Sequence, residues 1–171
     1  MANLKDVVDY MIYRGNGDFS IKQINRFLYY SYAIYLAKYN DKYEEPVNRL
    51  FEAEFKAYPR GPIIEEAYDY MKENEEEYFW YDRYSKYKAS LLEDSKDKLT
   101  RQEKFVVNAV LKVYGKYSGN RLEAMVNEEA PYKDFYRKNR RVTIPEKVIF
   151  DDYTEKYKIP AEQPKELKKK K

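Results

Sequence analysis

Phe19-Ser20-Ile21-Lys22-Gln23-Ile24-Asn25-Arg26-Phe27-Leu28-Tyr29-Tyr30 reads as a helix entry followed by a helix. Ser20 and Gln23 have the spacing of a capping box, in which each side chain satisfies an open backbone donor of the first turn. Phe19 and Ile24 stand at the positions of a hydrophobic staple across that box. The apolar face continues through Ile24, Phe27, Leu28, Ser31, Tyr35 and Leu36, and the helix is predicted to stop near Asn40.

The same signals recur on both sides. Leu4, Val7, Val8, Met11 and Ile12 form one helical stripe, capped by Asn3 and ended by Gly15 and Gly17. Thr100 and Glu103 repeat the capping box before Phe105, Val106, Ala109, Val110 and Val113, which predicts a strongly apolar, central helix closed by Gly115. Ser118 or Asn120 opens a shorter helix with Leu122, Met125 and Val126. Pro131, Tyr132, Phe135 and Tyr136 suggest another. Val142 to Glu146 reads as the entry to a last helix, with Val148, Ile149 and Tyr153 inward. Pro46 to Tyr58 is a short helix or an extended piece, and periodicity does not decide between them. Tyr58-Pro59-Arg60-Gly61-Pro62 breaks the chain, and Pro62 fits the first turn of a helix through Ile63, Ile64, Ala67, Tyr68 and Met71. The expected fold is mainly α: a single compact multi-helix domain over residues 1–158, with room for one short two-stranded β element near residues 46–60. A flexible, disordered Lys-rich tail is expected over 159–171.

The chain has 171 residues, 21 of them tyrosine, with no histidine and no cysteine. The commonest acid–base group, metal ligands and thiol nucleophile are therefore missing. The adjacent carboxylate pairs Glu65-Glu66, Glu128-Glu129 and Asp151-Asp152 point apart on a helix. No glycine-rich phosphate loop, nucleophile elbow or metal-ligand spacing is present in the sequence. The chain is expected not to be an enzyme and to use no cofactor or metal. Tyrosine abundance instead favours a binding protein, because the ring buries apolar area and keeps a polar tip. Without a disulfide framework, a spanning apolar run or a signal-peptide stretch, a cytoplasmic protein is expected.

Charge is uneven. Residues 51–100 hold eight basic and thirteen acidic groups, a net of −5, and residues 101–171 hold eighteen and eleven, a net of +7. Solvated helix faces and a basic tail account for this pattern. The densest aromatic stretch contains Tyr78, Phe79, Trp80 and Tyr81. Tyr78, Tyr81, Tyr84 and Tyr87 form a ladder at every third residue of a helix. Tyr78, Trp80, Tyr81, Tyr84 and Tyr87 are the candidate partner-binding surface, set against their packing in a groove with wet tips. Arg60, beside the Gly61-Pro62 turn, either pairs a partner carboxylate or pairs internally with Glu65 or Glu66. Arg137, Lys138, Arg140 and Arg141 follow Tyr132, Phe135 and Tyr136. They are a weaker candidate for holding nucleic acid, against basic groups complementing a helix end.

The order of these landmarks resembles the Panacea antitoxin domain, the SocA-like, phage-associated family. The stretch Phe19 to Tyr30 is similar to its opening helix, which is of a leucine–x–lysine–leucine–leucine–tyrosine type. Arg60-Gly61-Pro62-Ile63-Ile64 resembles its Gly-Pro-Val turn, and Tyr114-Gly115-Lys116-Tyr117-Ser118 with Leu122 its later Tyr-Gly-x-x-Ser element. Tyr132 stands where the family often has tryptophan, and residues 73–98 are longer and more aromatic than its usual linker. The resemblance runs from about Val7 to Tyr157 and implies binding and neutralisation of a toxin encoded alongside, or in some members delivery of that toxin to a protease. Fold alone does not name the partner. A phage or mobile-element inhibitor of a host defence nuclease and a nucleic-acid-binding regulator are the alternatives on the same scaffold.

Overall fold

The computed structural model describes residues 1–74 and 85–156. Helix α1, Leu4–Arg14, starts where the Asn3 side chain accepts from the Lys5 amide at 2.9 Å, and it ends at Gly15. Helix α2, Ile21–Tyr39, carries the predicted capping box: Gln23 N–H donates to Ser20 Oγ, and Ser20 N–H donates to Gln23 Oε1. Phe19 packs edge-on against Phe27, with centroids 4.9 Å apart, which fixes the angle at which the chain enters. We predict that Ser20→Ala lowers stability in urea unfolding by about 1 kcal/mol, and that Ser20→Asp retains most of it. A Ser20→Ala loss of only a few tenths would show that packing, not the cap, sets this end.

The middle of the chain runs extended. Phe51, Phe55 and Ala57 are buried while Glu52 and Glu54 are exposed, which is the alternation of a strand. This settles the ambiguous segment, and Ala2 seals its start through a parallel bridge to Phe51. Strand β1, Lys56–Tyr58, turns at Pro59 and Arg60 into β2, Gly61–Ile63. Later in the chain β3, Val142–Thr143, adds to the other side of β1, so the antiparallel sheet has the order β2-β1-β3. The sheet therefore has three strands rather than two. Pro62 sits in an edge strand, where its missing N–H costs no ladder bond. It does not open a helix: helix α3, Glu65–Asn74, begins three residues later.

Ser85 caps the short helix α4, Lys86–Ser90, and a 3₁₀ turn follows at Glu93–Asp97. Helix α5, Arg101–Tyr114, has its Thr100–Glu103 capping box and ends at Gly115. Helix α6, Gly119–Asn127, is capped by Ser118, and α7, Ala130–Phe135, has Pro131 in its first turn. Residues 146–156 form the last helix, α8.

The central element is α2, not α5. Helix α2 packs against α1, α3, α5, α6 and β2, and it buries residues on every side. Helix α5 keeps Phe105 61% and Val113 52% exposed, so only its Val106, Val107, Val110 face enters the core. The tyrosines are also redistributed. Tyr10, Tyr29, Tyr30, Tyr32, Tyr35, Tyr132 and Tyr153 are buried, so a large share of the tyrosines serves the core. Tyr29 meets Phe55 and Tyr153 edge-on, and Tyr30 stacks parallel on Tyr114 at 4.1 Å. Several hydroxyls are tied to acceptors that the fold brings inward, Tyr153 to Glu129, Tyr70 to Asp9 and Tyr10 to Asn108, each at 2.7 Å, while that of Tyr29 is buried without one. A ring can thus bury its area without leaving a polar atom unpaired. No helix among the described residues is long and apolar enough to cross a membrane.

Candidate functional site

Between α2, the β1–β2 hairpin, α3 and α6 lies a cleft of about 530 Å³. Its floor comes from one face of α2: Ile21, Lys22, Asn25 and Arg26, spaced one helical turn apart. The hairpin supplies Tyr58, Arg60 and Ile63, and α3 supplies Glu65, Tyr68 and Asp69. Glu123 of α6 and Arg141, just before β3, close the sides.

Arg26 is the unusual group. It is 2% exposed, and its Nε and Nη1 have no hydrogen-bond partner. Burial pulls its pKa down to about 10, with Glu123 and the tyrosines Tyr132, Tyr30 and Tyr29 acting in the other direction. It is still a cation at neutral pH. Unpaired buried charge is expensive, so an arginine left this way needs a counter-group. The hairpin makes room for it. Gly61 has φ of +135°, and a Cβ there would lie 2.0 Å from Arg26 Nη1. The Oδ1 of Asn127 is near the same point and is itself buried without a donor, as is that of Asn25.

The other cations of the cleft are already engaged. Lys22 Nζ donates to Asn120 Oδ1 at 2.7 Å and lies 3.2 Å from Glu123. Arg60 Nε is 3.8 Å from Glu123, a loose contact of a side chain that stays 75% exposed. Glu65 is held by Lys56 Nζ at 2.6 Å and by the Tyr58 hydroxyl at 2.6 Å, and those two bonds keep its carboxyl below the ordinary range. Arg141 lies over the Tyr58 ring, 5.0 Å from its centroid. The Tyr132 hydroxyl donates to the Tyr58 carbonyl at 2.6 Å and ties α7 beneath the hairpin.

The residues singled out from the sequence fall in three places. Arg60 reaches the cleft rim, but its acidic neighbour is Glu123 rather than Glu65 or Glu66. Tyr78, Trp80, Tyr81 and Tyr84 lie outside the described residues. Tyr87 is 71% exposed, on α4, which starts after the Ser85 cap. Among the basic residues, Arg137 folds back to donate to the Asp134 and Tyr136 carbonyls at 2.8 Å, at the end of α7. Lys138 and Arg140 are exposed on a turn. Tyr132 is buried and stacks on Tyr136 at 5.4 Å, so its face is not free for a base. Only Arg141 of this group joins the cleft. Arg26 was not singled out, because with Asn25 beside it and Lys22 one turn before it, it reads as the polar side of the helix.

A family model described as antitoxin SocA-like, Panacea domain, matches residues 24–133. That span is more than half of the chain. The chain belongs to the Panacea family. Searches of curated proteins and of solved structures gave no match. The Panacea match contains Asn25 and Arg26 of the α2 floor, the hairpin, α3 and Glu123; it begins after Ile21 and Lys22 and stops before Arg141, β3 and α8. Where the Panacea pattern often has tryptophan, Tyr132 gains the hydrogen bond to Tyr58 that an indole in its place would not make in the same way.

Proposed function

We propose that this Panacea-family protein is a non-enzymatic antitoxin that binds a cognate protein toxin directly and neutralises it. The observation that carries the reading is the family match over residues 24–133. The exposed Tyr87 and the aromatic stretch containing Tyr78, Trp80, Tyr81 and Tyr84 belong to the proposed contact surface, with Arg60 on the cleft rim. The test is a rescue experiment with the reading frame beside this one in its operon. Expressed alone, that neighbour is expected to arrest growth. With this protein, growth returns and the two co-purify at a fixed ratio. Replacement of Trp80, Tyr81 and Tyr84 together by alanine is expected to weaken the complex by about tenfold or more while the circular dichroism stays helical. A harmless neighbour, or rescue without any complex, would remove the direct-neutralisation reading.

A further inference from the structure

We infer that the cleft over Arg26 is a carboxylate-binding subsite, seating one acidic group of the partner protein. The partner's identity rests on the antitoxin reading; the chemistry of the subsite does not. Three observations carry it. First, Arg26 is a buried cation whose Nε and Nη1 have no acceptor within the described chain. A guanidinium offers a planar fork of donors matched to a carboxylate. Second, Arg26 is part of the cleft lining, and because its Nε and Nη1 are themselves closed to solvent, a carboxylate seats on them as the side chain shifts toward the cleft. Third, the cleft is mildly cationic and carries carboxylates of its own. Lys22, Arg26, Arg60 and Arg141 line it against Glu65, Asp69 and Glu123, and Glu65 is already held by Lys56 from outside the lining. Within this set Arg26 is the cation whose donors are buried without an acceptor. A monoanionic carboxylate matches its fork of donors, whereas a phosphate dianion or a nucleic-acid backbone would also face Asp69 and Glu123.

The walls suit a peptide rather than a free ion. Ile21, Ile63 and the Tyr58 ring surround the charge with apolar surface, which excludes water and strengthens the pair. The competing arrangement is a buried water joining Arg26 to Asn127, whose Oδ1 also lacks a donor.

Two measurements on the full chain decide between them. In the first, acetate is titrated at constant ionic strength while the Arg26 Nε–H resonance is followed, with chloride and inorganic phosphate as comparators. Acetate is expected to shift that signal saturably, and phosphate to act more weakly. No saturation, or tighter binding of phosphate, overturns the proposal. In the second, the affinity for the co-purifying neighbour is measured for Arg26→Met and Arg26→Lys, with thermal melts as controls. Arg26→Met should keep its melting temperature and weaken binding about thirtyfold or more, because a partner carboxylate is left unpaired. Arg26→Lys should fall between. Unchanged affinity in a folded Arg26→Met protein overturns the proposal. Extending the partner's C-terminus by one residue, against changing its acidic side chains to amides, tells a terminal carboxylate from a side-chain one. If the neighbour neither arrests growth nor binds the wild-type chain, the antitoxin reading fails, and the acetate titration still decides the subsite.

Discussion

Gly61→Ala is expected to lower the thermal midpoint by roughly 5–10 °C, equivalent to about 3 kcal/mol in a domain of this size. Two costs combine. The φ of +135° belongs to backbone that residues with a Cβ rarely adopt, and holding one there costs about 1–3 kcal/mol. The added methyl would also sit 2.0 Å from Arg26 Nη1 and 2.8 Å from its Cζ. An arginine on an exposed surface would swing aside at little cost. Arg26 is 2% exposed, so making room for the methyl shifts a buried cation from its seat toward the cleft that it lines. The two costs can be separated. In Gly61→Ala combined with Arg26→Met, the steric part should recover while the backbone part remains, so the double variant is more stable than the sum of the single changes predicts. Strict additivity would show that the glycine serves the turn alone. A Gly61→Ala loss under about 0.5 kcal/mol would discard both arguments.

The second large effect is expected at Glu146, on the last helix and outside the family match. Its carboxylate accepts from Arg49 Nε at 2.7 Å and Nη2 at 2.8 Å, from the Tyr43 hydroxyl at 2.7 Å and from the buried Tyr32 hydroxyl. This one group fastens α8 to α2 and to the chain before β1. Glu146→Ala leaves Arg49 with only the exposed Glu45 at 3.4 Å and leaves Tyr32 without its acceptor. A loss of about 3 kcal/mol follows, measured by urea unfolding. Burial alone would push the Glu146 carboxyl up, but the bonds from Arg49, Tyr32 and Tyr43 outweigh it and hold the carboxyl below the ordinary range. A carboxyl lowered in the folded state stabilises above its unfolded pKa of about 4.3 and loses that contribution as pH falls through the folded value. The stability gap between wild type and Glu146→Gln is therefore expected to be constant near neutral pH and to narrow below about pH 4. The comparison must be between these two proteins. Burial raises the carboxyls of Glu129 and Asp9, and groups shifted that way favour the folded state on acidification. A gap that does not change with pH would mean that Glu146 acts by packing and not by charge.

Family membership places these residues unevenly. The matched region holds Arg26, Gly61 and Glu123, the parts that make the cleft. Glu146 and Arg141 come from chain beyond the match, which closes one side of the cleft and ties down the far side of α2. Substitutions in the two groups should separate accordingly. Changes at Arg26 are read mainly in binding, and changes at Glu146 mainly in stability.

Local structure was legible from the residues. The ends of α1, α2, α5 and α6 follow from Asn3, Ser20 with Gln23, Thr100 with Glu103, and Ser118, because a cap bonds amides within three residues of itself. No distant segment is needed to satisfy those donors. The mainly helical class and the breaks at Gly15 and Gly115 follow in the same way. The extended run from Phe51 to Ala57 was ambiguous because a few alternating apolar residues also fit a helix face; pairing with β2 and β3 decided it. Pro62 was misplaced for a similar reason, since a proline suits either a first helical turn or an edge strand, and only the sheet order tells them apart.

What tertiary structure alone decided is where the polar atoms go. A tyrosine reads the same on an interface as in a core whose hydroxyl finds Glu129, Asp9 or Glu146. Those acceptors lie 24, 61 and 114 residues away from Tyr153, Tyr70 and Tyr32. Arg26 likewise looks like a solvated helix position until Gly61, Glu123 and Asn127 converge on it. The sequence by itself determined the helices, because their terminal donors are satisfied locally. The cleft and its unpaired cation came from the packing of α2 against elements remote in the chain, because burial is set by all the surfaces that meet at a point and by no single one of them.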